Sequence, residues 1–388
     1  MDQARNKHRF AVLDGWRGVA ALAVAVYHFH VYSHVAGARL TQGAYLFVDL
    51  FFVLSGFVIS YSYGGRLTQG SDIAIFMIRR FGRLWPLHAA TLLFLFVFEG
   101  LKLYAAQRGW LHPAHPPFDP AGFATWTTLP TNLVLMQALG LHDNLSWNVP
   151  AWSICVEFWT YLVFATLCWS GRRSLTIGAG AGVLFGFLIV LLAGKGMDVS
   201  YDYGFFRCLF GFFLGHFAFR LWQGWEGRPP RWLGHCELPA LAATVLFVAF
   251  AGGGKTASLF APLLFAPVVL VFAAEQGAVS SAMRAQPIAR LGAWSYSIYM
   301  VHAPITDIVQ WLAASAERVL HVPLRATFAG FGDVPILSAG GNLYLGDAAY
   351  PVYIAAILLV SAATYRWIEK PGRRFFNAVA MRRVLPAE

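Results

Sequence analysis

Leu13-Asp14-Gly15-Trp16-Arg17-Gly18, running into Val26-Tyr27-His28-Phe29-His30, decides how this chain is read. Apolar residues fill the space between a charged foot and a histidine, which predicts one membrane helix over roughly 12–34. Arg17 and His28 are close to three turns apart at ~3.6 residues per turn, so they fall within about 20° of each other on one face. Asp14 lies about 40° to the other side of His28. A rise of ~1.5 Å per residue puts His28 roughly 16 Å deeper than Arg17. A cation at one membrane surface is thus aligned with a titratable imidazole inside the hydrocarbon. Two plainer roles compete: Arg17 as an interfacial anchor and His28 as a hydrogen-bonded packing residue. Burial of an ionisable group costs ~2.5 kcal/mol or more, which tilts the reading toward function.

Composition sets the same frame. Of 388 residues, 58% are hydrophobic and 12% charged, with a mean hydropathy of +0.56, which excludes an ordinary soluble domain. The expected fold is an all-α, polytopic inner-membrane bundle of about ten spans near 12–34, 45–63, 86–104, 151–168, 174–193, 204–222, 237–252, 258–275, 291–313 and 350–368. Most of the 29 Lys and Arg residues fall in alternate connections, among them Arg66, Arg79, Arg80, Arg83, Arg172, Arg173, Arg228, Arg231 and the tail from Arg366. That asymmetry predicts both termini in the cytoplasm and accounts for the net charge of +10 without nucleic acid. Residues 1–374 read as the membrane-embedded domain and 375–388 as a short basic cytoplasmic tail, with no fused soluble domain and no cleavable signal peptide expected. Cys155, Cys168, Cys208 and Cys236 have no paired spacing, so neither a disulfide framework nor a zinc site is expected. His112 and His115 sit in a Pro-rich connection with no clear third ligand, and no metal is expected there. The apolar piece at 132–139 reads as re-entrant or interfacial, and 314–349 as a surface-lying segment.

Four further stretches carry chemistry. In Phe47-Val48-Asp49-Leu50-Phe51-Phe52-Val53-Leu54-Ser55-Gly56-Phe57, Ser55-Gly56 suits close helix approach, and Asp49 lies near the outer interface, where solvation alone would explain it. In Arg79-Arg80-Phe81-Gly82-Arg83, Arg80 and Arg83 are helix neighbours whose forked guanidiniums suit phosphate oxygens; a plain positive-inside cluster is the alternative. Trp152-Ser153-Ile154-Cys155-Val156-Glu157 brings a carboxylate ~9 Å into the membrane, a depth His28 shares when both are counted from the outside. A shared polar cavity follows, with a structural ion pair as the competing reading. His302, in Trp294-Ser295-Tyr296-Ser297-Ile298-Tyr299-Met300-Val301-His302, offers a second polar wall, while Tyr365-Arg366-Trp367-Ile368-Glu369-Lys370-Pro371 reads as an ordinary basic exit.

These five pieces, in this order and over about residues 10–374, resemble the acyltransferase-3 family of integral-membrane acyltransferases. The resemblance implies acyl-CoA (acetyl-CoA) as donor, His28 as the essential histidine, and Arg17, Arg80 and Arg83 as the arginines that matter. The resulting expectation is an O-acyltransferase with His28 and Glu157 catalytic. Arg17, Arg80 and Arg83 would hold coenzyme A phosphates, and Asp14, Asp49, Ser55, Trp152 and His302 would support the substrate. Membrane lipids and a saccharide hydroxyl are the expected partners. A small-molecule or lipid acceptor is the nearest alternative, and a secondary transporter the alternative from another class, against which stand the missing repeated halves.

Overall fold

The computed structural model describes residues 8–109, 116–120, 122–328 and 336–382. It is a helical bundle whose long elements are α1 (Ala11–His28), α2 (Phe47–Tyr63), α3 (Gly70–Gln107), α4 (Trp152–Trp169), α5 (Arg172–Leu192), α6 (Gly204–Gln223), α7 (Glu237–Ala251), α8 (Ala261–Ala273), α9 (Gln286–Leu320), α10 (Leu343–Thr364) and α11 (Lys370–Arg382). A two-residue antiparallel ladder, Arg325–Ala326 with Ile336–Leu337, is the β-structure among the described residues. Each of the ten expected spans meets one of α1–α10, but among the described residues eight segments are long and apolar enough to cross a membrane. The two that fall short are α1 and α9, the helices that carry His28 and His302. Part of the polar content of α9, Ser295, Ser297, His302 and Thr306, is covered by the bundle, so hydropathy alone understates it.

Helix α1 ends earlier than expected. Its last residue is His28, where the chain leaves the helix at Phe29 and Val31 pairs with Leu337. Aromatic packing holds that exit: Phe29 stacks on Tyr353 with ring centres 4.0 Å apart, and the Tyr350 hydroxyl donates to the Phe29 carbonyl at 2.9 Å. His28 therefore stands at the mouth of its helix, not six residues inside it. Helix α3 is much longer than its expected span and contains Arg79, Arg80 and Arg83 within regular helix. Helix α11 lies along α3, with Phe376 against Gly82 and Gly372 against Pro86. A π-turn, Tyr365–Glu369, joins α10 to α11. The 132–139 piece tucks under α4, where the Leu135 carbonyl accepts from Trp159 Nε1 at 2.7 Å. His112 and His115 lie outside the described residues.

Glycines set the closest helix approaches. A Cβ on Gly56 would stand 1.8 Å from the Phe212 carbonyl oxygen of α6, and one on Gly18 2.4 Å from the Gly292 nitrogen of α9. Lipid tails give no hydrophobic drive for helix association, so such small-residue contacts carry the packing. Three hydrophobic clusters result among the described residues, the smallest around Leu92, Leu95 and Trp147. The largest runs through α1–α9; the second joins the His28 end of α1 to α9 and α10 through Ala25, Phe29, Ile298, Tyr350 and Tyr353.

Candidate active site

Helices α1, α2, α3, α4 and α9 enclose a cavity of about 450 Å³. At one end stand Arg9, Arg17, Arg80, Arg83 and Arg373, with Asp14 among them. At the other end the lining becomes largely apolar: Val48, Phe51, Phe52, Ile154 and Tyr299, with Ser153. Glu157 and Tyr161 lie between. The opposite run of α1 and α2 produces this gradient, because the start of one helix meets the end of the other.

Charge at the arginine end is not balanced. Arg9 pairs with Asp14 at 2.9 Å, and Arg83 Nη1 pairs with Glu369 Oε1 at 2.9 Å. Glu369, only 2% exposed, also accepts from Ser297 at 2.9 Å, so the π-turn carries a buried carboxylate that fixes Arg83. Arg17, Arg80 and Arg373 have no carboxylate partner among the described residues. The Arg80 guanidinium lies near the rings of Tyr63, Phe76 and Tyr161, and its Nε is buried without a hydrogen-bond partner. Uncompensated guanidiniums with free donors fit a polyanion with several phosphate oxygens.

Glu157 belongs to this cavity and not to His28. Its Oε1 accepts from the Tyr161 hydroxyl at 2.7 Å, and Tyr161 is bonded in turn to Ser55 Oγ at 2.9 Å. The residue that meets His28 is His302, with His302 Nε2 3.3 Å from His28 Nδ1. His28 Nδ1 also lies 2.9 Å from the Val24 carbonyl, and His302 Nδ1 lies 3.3 Å from that of Ile298. Carbonyls only accept, so both Nδ1 atoms carry hydrogen. His28 Nδ1–H then lies between Val24 O and the His302 Nε2 lone pair. That assignment, made from the bonding pattern, leaves His28 Nε2 with a lone pair and no partner among the described residues. Such a nitrogen can take a proton while the second ring steadies the imidazolium.

Several expected site residues sit elsewhere. Asp49 is not solvated: it is fully buried and takes a forked pair from Arg207, Nε to Oδ1 at 2.9 Å and Nη2 to Oδ2 at 2.8 Å. Arg207 is itself 3% exposed and donates again to the Val199 carbonyl. Trp152 lies under that guanidinium, 5.3 Å from its ring centre, and is absent from the cavity lining. Ser55 meets Tyr161, and its neighbour Gly56 makes the close approach to α6. Sequence reading missed Arg207, Glu369 and Arg373. An arginine inside an apolar run was the signal for Arg207, and nothing in the basic exit singled out Glu369 or Arg373.

Residues 10–366 match the profile of the acyltransferase-3 family, described as an acyltransferase domain. The chain belongs to that family and is a multi-pass, membrane-embedded acyltransferase. It is 26% identical to Acyltransferase MdmB of Streptomyces mycarofaciens over 322 residues, covering 76% of this chain and 78% of MdmB. It is 33% identical to Protein 2 in picA locus of Rhizobium radiobacter over 171 residues, 43% of this chain and 85% of that protein. Peptidoglycan O-acetyltransferase OatA of Listeria monocytogenes serovar 1/2a is 24% identical over 320 residues, which spans 76% of this chain and about half, 49%, of OatA. No solved structure matches the chain.

Proposed function

We propose that this protein moves an acetyl group from cytosolic acetyl-CoA to a hydroxyl of an envelope glycan or lipid-linked saccharide. The observation that carries the reading is the graded cavity, with unpaired arginines at one end and small apolar space at the other. Coenzyme A has the same gradient: phosphates at the head, a thin pantetheine arm, and a thioester at the tip. Arg17, Arg80 and Arg373 are free to meet the phosphates, while Arg83 is held in place by Glu369. The distribution of Lys and Arg along the sequence puts this end at the cytoplasm.

The chemistry then falls to His28. The acceptor hydroxyl gives its proton to His28 Nε2 as its oxygen bonds to the thioester carbonyl carbon. The C–S bond breaks, and the departing thiolate takes the proton back from His28, so the products are an ester and free coenzyme A. His302 keeps its lone pair on His28 Nδ1–H throughout, which fixes the ring and favours the charged intermediate state. Glu157, on the cavity wall through Tyr161, lines the route of the pantetheine arm. The similarity to a peptidoglycan O-acetyltransferase, OatA, supports a glycan acceptor, and that to the acyltransferase MdmB supports acyl transfer without specifying one.

The test is transfer of labelled acetyl from acetyl-CoA to envelope material by membranes containing the protein. Mass spectrometry of envelope glycans from cells with and without it identifies the product. Loss of acetyl ester from a glycan in cells lacking the protein is the expected result. An unchanged glycan acetylation profile, with no acetyl-CoA consumption by the purified protein, would overturn the proposal.

A further inference from the structure

The apolar end of the cavity stops short of His28. Tyr299 lines it, His302 packs edge-on to Tyr299 with ring centres 5.7 Å apart, and His28 lies beyond. Phe51 stands beside Tyr299, also edge-on, at 5.7 Å. Two rings therefore partition the cavity from the histidine pair.

The two rings are held differently. The Tyr299 hydroxyl accepts from Ser153 Oγ at 2.8 Å and donates to the Pro150 carbonyl at 3.1 Å, so its ring is pinned at the tip. Phe51 has no polar tether, is only half-buried, and packs against the two larger hydrophobic clusters. A side chain at such a junction can swing about χ1 without breaking a hydrogen bond. The neighbouring walls are stiff: Phe52 is 2% exposed and packed against Trp152, which Arg207 covers, and Ile154 is likewise buried.

We propose that Phe51 is a size-selecting leaf that opens the donor cavity toward His28 by about one ring's width and so admits only short acyl groups. The inference rests on reading the cavity as the acyl-CoA site. It adds a substrate class: acetyl and propionyl pass, and a six-carbon chain does not. An apolar pocket discriminates each methylene by about 10–200-fold at most, so selectivity set by one ring is removable by shortening it.

The experiment uses the full chain in membrane vesicles with envelope acceptor and labelled acetyl-, propionyl- and hexanoyl-CoA. The parent protein should favour acetyl over hexanoyl. Phe51→Ala and the milder Phe51→Leu should lower that preference by about tenfold or more through a gain in hexanoyl transfer, a gain that misfolding cannot imitate. Phe51→Trp should sharpen discrimination against propionyl. Unchanged acetyl-to-hexanoyl ratios in active Phe51 variants would overturn the leaf while leaving the donor site intact. A parent protein that transfers none of the three acyl groups would overturn the donor reading itself, and the leaf with it.

Discussion

Arg80 and Arg83 lie three residues apart on one helix, yet the structure predicts that removing them fails in different ways. Arg83 is committed: its Nη1 is 2.9 Å from Glu369, whose carboxylate is 1% exposed and has Ser297 as its other donor. Arg83→Ala leaves that carboxylate buried with one neutral partner, and breaking a buried pair this way costs about 3–5 kcal/mol. The Arg83 side chain is 24% exposed, which screens part of the interaction and places the expected loss near the lower figure. Arg80 has no carboxylate to strand. Arg80→Ala should therefore leave stability within about 1 kcal/mol, the ordinary scale for a substitution that orphans no charge. It should weaken acetyl-CoA binding by one charge-assisted contact, about 1.5–3 kcal/mol, or about 10–150-fold in Kd. Thermal unfolding of the detergent-solubilised protein and acetyl-CoA titration separate the two effects. Adding Glu369→Gln to Arg83→Ala should restore much of the lost stability, because the stranded charge is gone. Equal loss of affinity with unaltered stability in both single variants, and no rescue by Glu369→Gln, would refute this assignment.

Three other outcomes follow from the packing and the histidine pair. Arg207→Lys should destabilise the bundle by roughly 3 kcal/mol, since an ammonium cannot reproduce the forked contact with buried Asp49; matched thermal unfolding curves for the two proteins would count against it. Gly56→Ala should sharply reduce the folded yield, because its Cβ would meet the Phe212 carbonyl oxygen at 1.8 Å; wild-type abundance in membranes would mean α2 and α6 part easily. His302→Phe keeps a ring but removes the acceptor for His28 Nδ1–H, so transfer should fall about 10–100-fold with acetyl-CoA affinity unchanged; undiminished transfer would leave His302 a packing residue.

Where the sequence was legible, the cause was periodic apolar patterning. Each of the ten apolar runs falls on a helix, eight segments of the described residues being apolar enough to span, and Arg17, Arg80, Arg83 and Glu157 all line one cavity. Helix ends were less legible. The exit of α1 at His28 is imposed by Phe29 stacking on Tyr353, more than three hundred residues away in sequence, and no local signal announces it. Equal depth from the surface suggested Glu157 as the neighbour of His28. The depth count rested on α1 continuing past His28, which it does not, and Glu157 bonds Tyr161 one turn along its own helix instead. Asp49 reads as solvated because it lies near a helix end, and Arg207 lies within the first turn of its own helix. Their pairing required knowing that α2 and α6 approach closely at Gly56 and Gly215, a contact set by tertiary packing. Glu369 was masked by basic neighbours that share its turn but face elsewhere.

The central claim is that His28 Nε2 takes the acceptor's proton. It is tested most directly by acetyl transfer in His28→Gln at matched membrane abundance, with acetyl-CoA affinity measured alongside. Glutamine can donate toward Val24 and occupy a similar space but offers no base near neutral pH. The account predicts transfer lower by about 10²–10⁴-fold with donor affinity preserved. Transfer within a few-fold of the parent protein would contradict it and leave His28 a packing histidine at the end of α1.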